Sequence, residues 1–155
     1  MKRTALYPGT FDPVTIGHES MVKRALSLFD QIIVAIGINT AKQSYFPIEK
    51  RIQWLEKVFA PYPQVIIDSF QGLTIDFCKK KNAQFILRGL RSSTDFEYER
   101  NIAQANSSLV PDIETVFLVS APGLSAISSS IVRDIHQHGG DVSSFIPSGI
   151  TLDSY

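Results

Sequence analysis

Three observations predict an α/β chain in which a five-stranded parallel sheet lies between two layers of helices. Apolar, β-rich runs recur at 4–7, 31–38, 64–68, 84–87 and 115–119. Each run is short and nearly continuous rather than alternating, as expected of strands buried on both faces. Between them lie segments whose apolar residues repeat at helical spacing. Alternation of this kind, with right-handed crossovers, gives a doubly wound, Rossmann-like, three-layer sandwich. Ligands of such sheets bind beyond the carboxyl ends of the strands, where the strand order reverses.

The helices can be justified in order. From His18 to Phe29, residues Met21, Val22, Ala25, Leu26 and Phe29 form one apolar stripe, and Asp30 ends the segment. Pro47 suits the first turn of a second helix in which Ile48, Ile52, Leu55 and Phe59 repeat, with Trp54 as core. The third, over 72–81, sets Leu73, Phe77 and Cys78 on one side and closes on Lys79, Lys80 and Lys81, which complement a helix carboxyl end in solvent. Thr94-Asp95-Phe96-Glu97 matches a capping box for a helix reaching Leu109, where Pro111 stops it. In the last helix Ser128 or Ser129 is the cap, Ile131, Val132 and Ile135 line one face, and Gly139-Gly140 provides a left-handed exit. His136 and His138, two residues apart, point to different faces, which favours surface roles at the helix end over a metal pair. Phe145-Ile146-Pro147 is the expected docking point of the tail.

With 155 residues and no break in composition, a single domain spanning 1–155 is expected. Fifteen basic and fifteen acidic residues cancel, so there is no bulk drive toward nucleic acid or an anionic membrane. The single cysteine, Cys78, cannot form an internal disulfide and reads as a buried thiol, which fits a cytoplasmic setting. The amino-terminal MKRTALYPG lacks an export signal, and no apolar stretch approaches the ~18 residues of a membrane span.

The chemistry-bearing segments cluster at the predicted strand ends. The first is YPGTFDPVTIGH, residues 7–18. Here Gly9 permits a sharp turn and close backbone approach, Thr10 offers a hydroxyl, Asp12-Pro13 forms a turn and Gly17 relieves crowding before a helix. His18 stands in that helix's first turn, where the positive dipole end disfavours the imidazolium. A neutral ring donating one N–H to a phosphate oxygen follows. Alone, the segment reads equally as a capped turn carrying an exposed histidine. Three further segments change the balance: 39–44 with Lys42, Arg88-Gly89-Leu90-Arg91, and Ile127-Ser128-Ser129-Ser130. Together they supply donors for several phosphates and no metal cage. No serine has a histidine beside it and Cys78 lies in a helix, so direct transfer between two phosphate-bearing ligands fits better than a covalent intermediate.

Tyr7-Pro8-Gly9-Thr10-Phe11-Asp12-Pro13 with Thr15-x-Gly17-His18, then Arg88-Gly89-x-Arg91, Asp95-Phe96-Glu97-Tyr98-Glu99 and Ile127-Ser128-Ser129-Ser130, closely resemble the bacterial phosphopantetheine adenylyltransferases. The likeness runs from Arg3 to about Pro147. The T-x-G-H element marks only the wider nucleotidyltransferase superfamily, whereas the Arg88 to Glu99 stretch is far more specific. The resemblance implies reversible transfer of AMP from ATP to 4′-phosphopantetheine, giving dephospho-coenzyme A and pyrophosphate, with Mg2+ carried through the ATP phosphates rather than by protein ligands. It implies catalytic roles for Thr10, His18, Lys42 and Arg91, and acceptor binding by Thr10, Lys42, Thr74 and Arg88. ATP would be bound by Thr10, Phe11, His18, Gly89, Leu90, Arg91, Glu99, Leu124, Ser125, Ala126, Ile127, Ser128, Ser129 and Ser130. A homohexamer is implied as well. Leu124 and Ala126 depart from the aromatic residues usual in that loop, Thr74 stands where bulkier apolar residues are common, and the tail after Pro147 is short for the family's carboxyl-terminal helix. Two other readings remain open at this point. One is a nucleotidyltransferase with another phosphorylated acceptor, against which Asp95 to Glu99 argue; the other is a non-catalytic nucleotide sensor, against which His18 and Lys42 argue.

Overall fold

In the computed structural model, which describes residues 1–153, strands and helices alternate without interruption. The elements are β1 (Thr4–Gly9), α1 (Ile16–Ala25), β2 (Gln31–Gly37), α2 (Ile48–Phe59), β3 (Val65–Phe70), α3 (Thr74–Lys80), β4 (Phe85–Leu90), α4 (Ser93–Leu109), β5 (Glu114–Val119) and α5 (Ser129–Gln137). All pairings are parallel and the strand order is β3-β2-β1-β4-β5. The order reverses between β1 and β4, which places the ligand crevice beyond their carboxyl ends.

Burial explains the continuous apolar runs. Residues 4–8 of β1 and 32–36 of β2 are buried on both faces, whereas β3 and β5, the sheet edges, are only partly covered. One core layer, with Trp54 and Leu55, joins α1, α2 and α5 to the sheet; the other, with Cys78, lies under α3. Burial pushes the Cys78 thiol up to about 12, in keeping with an inert core residue. Truncating Leu55, which is fully buried, to alanine is worth roughly 2–5 kcal/mol by the usual cavity cost.

Several expected boundaries shift. β4 continues through Arg88, Gly89 and Leu90, so these residues belong to the strand rather than to a loop after it. The cap of α4 is Ser92, which accepts from the Asp95 amide, and not Thr94; Ser-x-x-Asp is itself a capping pattern two residues upstream. Leu73 is the N-cap of α3 and is exposed, and Ile131 on α5 is exposed too, so neither joins the core as its spacing suggested. Ser128 caps α5, and Gly139 takes the left-handed exit with φ of 77°. His136 bonds Tyr45 (Nδ1 to the hydroxyl, 2.8 Å), so it fastens α5 to the loop after β2, while His138 is exposed.

The tail docks where expected. Val142, Ile146 and Ile150 are buried, and the Phe145 carbonyl accepts from the Ile16 amide at 3.0 Å, satisfying the first N–H of α1.

Candidate active site

The turn from β1 into α1 is held by side chains brought to its backbone from other elements. Gly9 ends β1 in ordinary backbone geometry, and the positive φ falls instead on Phe11, at 46°. The Phe11 ring folds back over Gly9, where a Cβ would come within 3.0 Å of it. Gly9 therefore makes room for the Phe11 ring, and it also lines the cleft. A non-glycine residue in this region costs on the order of 1 kcal/mol and needs neighbours that hold it. Asp12 supplies the hold, its carboxylate accepting from the amides of Tyr45 (2.7 Å) and Phe46 (2.8 Å). The buried Arg51 of α2 completes it, donating to the carbonyls of Thr10 (2.8 Å) and Phe46 (3.1 Å) and to the Ser44 hydroxyl (2.9 Å). Thr10 is left exposed at the cleft.

His18 is the third residue of α1 and part of its cap. The Thr15 amide donates to His18 Nδ1 at 3.0 Å, and the His18 amide donates back to Thr15 Oγ1. Gly17 lies inside the helix, where a Cβ would meet Thr15 Oγ1 at 3.4 Å. Because Nδ1 accepts, the proton of the neutral ring sits on Nε2. The ring meets Phe11 edge-on at 4.8 Å. Burial, and then the charges of Arg91 and Arg88, lower the His18 pKa to about 4. The expected neutral donor is present, and the main cause is desolvation rather than the helix end.

β4 brings Arg88 to the same place. Its Nε donates to Glu99 Oε2 at 2.8 Å, its Nη2 to Glu99 Oε1 at 2.6 Å and its Nη1 to the Pro8 carbonyl at 3.1 Å. Burial opposes the Arg88 charge, but the bond to Glu99 and that residue's charge outweigh it and raise the pKa. Arg91 is exposed, with its Nε 3.5 Å from Asp95 Oδ2. At Gly89 a Cβ would come within 2.8 Å of Met21 Cε, so a bare backbone lets α1 lie close over β4.

The α5 serines serve the scaffold. Ser128 Oγ accepts from the Ile131 amide, Ser129 Oγ donates to the Pro13 carbonyl at 2.8 Å, and Ser130 Oγ accepts from Arg133 at 3.2 Å. The capacity of this segment to bind anions therefore lies chiefly in the amides of the helix start.

These elements line a cleft of about 620 Å³. It gathers Thr10, Phe11, His18, Thr74, Arg88, Gly89, Leu90, Arg91, Glu99, Leu124, Ile127, Ser128, Ser129 and Ser130. Lys42, Ser125 and Ala126 are not brought to its lining; Lys42 is exposed in the loop after β2. Residues missed in the sequence also line it. Arg133 donates to the Asp12 carbonyl at 2.7 Å, and Arg24 to the Val119 carbonyl at 2.8 Å. Arg133 carried a readable signal, one helical turn beyond Ser129; Arg24 carried none.

The cleft lies where a doubly wound sheet receives nucleotides, and the sequence agrees: the cytidylyltransferase-like family matches residues 6–135. The fold and cleft are those of a nucleotidyltransferase. A crystal structure described as a nicotinate-nucleotide adenylyltransferase from Vibrio parahaemolyticus superposes with a TM-score of 0.66 over 94% of each chain, at 19% identity, which shows the shared fold. Phosphopantetheine adenylyltransferase from Phocaeicola vulgatus is 52% identical over 97% of this chain and 99% of its own length, and that from Cytophaga hutchinsonii is 51% identical over 95% and 98%. The chain belongs to the phosphopantetheine adenylyltransferase family.

Proposed function

We propose that the chain transfers AMP from ATP to 4′-phosphopantetheine, giving dephospho-coenzyme A and pyrophosphate, by in-line attack of the acceptor phosphate on the α-phosphorus. The observation that carries this reading is that two separate anion-binding elements, Arg88 on β4 and the amino end of α5, open onto the same cleft as His18. The acceptor phosphate is already an anion, so the reaction needs no general base. Alignment and fixed positive or N–H groups are enough.

In this mechanism Arg88 and Thr74 bind the acceptor, and Thr10 lies at the phosphates. His18 Nε2–H donates to the oxygen on which charge grows. Gly89, Leu90, Arg91 and the 124–130 segment receive the nucleotide. Lys42 joins both phosphates when its loop moves inward. The carboxylates lining the cleft, Asp95 and Glu99, both lie against arginines, so the donor set fits Mg2+ carried by the triphosphate, where it would neutralise the pyrophosphate leaving group.

The α4 surface supports self-association, for which the family resemblance implies a homohexamer. Glu99 is the buried residue of this 17-residue helix, while Tyr98, Ile102 and Leu109, which fall on one side of it, are exposed, an apolar face of the kind that partners cover. Balanced charge supports small-molecule partners rather than nucleic acid, and among the described residues no helix is long and apolar enough to cross a membrane. The setting proposed is the cytoplasm.

Incubation with ATP, Mg2+ and phosphopantetheine should release pyrophosphate only when all three are present. Nicotinate mononucleotide in place of phosphopantetheine should release none. Absence of release with the full mixture would remove this reading.

A further inference from the structure

We propose that the hydroxyl of Tyr7 is a further substrate contact: beside His18, it donates a hydrogen bond to an oxygen of the phosphoryl group being transferred. This role deepens the reaction given above and rests on it. Tyr7 stands in β1, within the core layer that joins α1 to the sheet, and is only 7% exposed. Its ring meets Phe11 edge-on at 5.5 Å and lies 6.3 Å from the His18 ring, so the three rings form one cluster at the turn. A phenylalanine would fill the same place. The hydroxyl needs a separate reason, because burying one without a partner costs free energy.

The scaffold supplies no partner. The Tyr7 hydroxyl makes no hydrogen bond to any of the described residues. Among those residues no fully enclosed side-chain oxygen or nitrogen is left unpaired, so this hydroxyl must be open to solvent. The open space that Tyr7 borders is the cleft. Its one polar atom therefore faces the volume that the substrates would fill.

Charge decides what it meets there. The Arg88 and Arg91 charges act both on the Tyr7 hydroxyl and on the His18 ring. Two neutral donors in the field of two cations suit an oxyanion. Burial outweighs those charges and pushes the Tyr7 phenol above its usual range, so the hydroxyl keeps its proton and can donate. Of the phosphates in the proposed reaction, the one at His18 is the one transferred, and Tyr7 shares its aromatic cluster with that histidine.

The test is Tyr7→Phe, which removes one oxygen and keeps the ring. Steady-state constants are measured with ATP and with phosphopantetheine varied in turn, and a urea melt is run alongside. The expected result is a kcat/KM for ATP lowered about tenfold, as for one lost hydrogen bond to a charged group, with the acceptor KM within about twofold of wild type. The urea midpoint should match that of the wild type, because no scaffold bond is lost. An unchanged kcat/KM for ATP, or a loss carried by the acceptor KM alone, would overturn the proposal. So would a lowered urea midpoint, which would show that the hydroxyl serves the scaffold. A wild type that releases no pyrophosphate would overturn the reaction and this role with it, whereas an active wild type matched by Tyr7→Phe would overturn the role alone.

Discussion

The turn at 7–18 and the loop at 39–44 follow neighbouring strands of one sheet, yet they present their functional groups in opposite ways. In the turn, Thr15 caps α1 and fixes the His18 tautomer, and Arg51 and Asp12 lock the backbone around Thr10. In the loop, Asn39 accepts from the Ala41 and Lys42 amides, but Lys42 stays exposed and outside the cleft lining. The difference teaches that one wall of this cleft is held by the scaffold itself, whereas Lys42 can take its proposed part only if its loop moves toward the cleft.

The largest expected effect tests the built wall. His18→Ala should lower kcat by roughly 10²–10³, as for loss of one donor to developing charge, with the ATP KM little changed. Equal losses of turnover and ATP binding would erase the distinction between the two regions. Next comes the loop. On adding both substrates, hydrogen exchange at the 40–43 amides should slow several-fold while that at 15–18 barely changes, because only the loop has order left to gain. Equal exchange with and without substrates would mean that Lys42 is not delivered.

The smallest effect is on stability. The His18 pKa is about 4 in the folded protein and about 6.5 when unfolded. Between these values the unfolded chain binds a proton that the folded one does not. This part of the stability is complete above about pH 6.5 and is lost as pH falls through about 4. Allowing for a ring still partly open to cleft water, the loss is about 1–2 kcal/mol. The urea midpoint of the wild type should therefore fall more between pH 7 and pH 5 than that of His18→Asn. Parallel curves would contradict the buried, neutral ring.

The contrast also marks what the sequence could reveal. Continuous apolar strands and helical stripes announce the sheet and its layers because burial acts through residue type and spacing. The clustering of Thr10, His18, Arg88 and the serines at strand ends was legible for the same reason: an α/β sheet has one place for ligands. Individual jobs were not. The ring that fills the space beside Gly9 belongs to Phe11, a tertiary contact that no local pattern encodes. The hydroxyls of Ser128, Ser129 and Ser130 look free in a string of letters, yet each meets a scaffold atom brought by folding. Arg51 reads as one more charge on an amphipathic helix, and its burial depends on carbonyls from two other segments. The apolar run ends at Leu87 in the sequence, yet pairing of Arg88 with Phe117 on β5 carries the strand through it.

The Phe145 carbonyl that receives the Ile16 amide has a consequence for biogenesis. Synthesis runs from the amino end, so the segment presenting His18 is among the first to emerge and the segment that anchors it among the last. A ribosome-bound chain lacking Phe145 to Ile150 has the residues of the 7–18 turn but not its tether. The amino end of α1 therefore acquires its last backbone partner only when the carboxyl-terminal segment has been made and has docked.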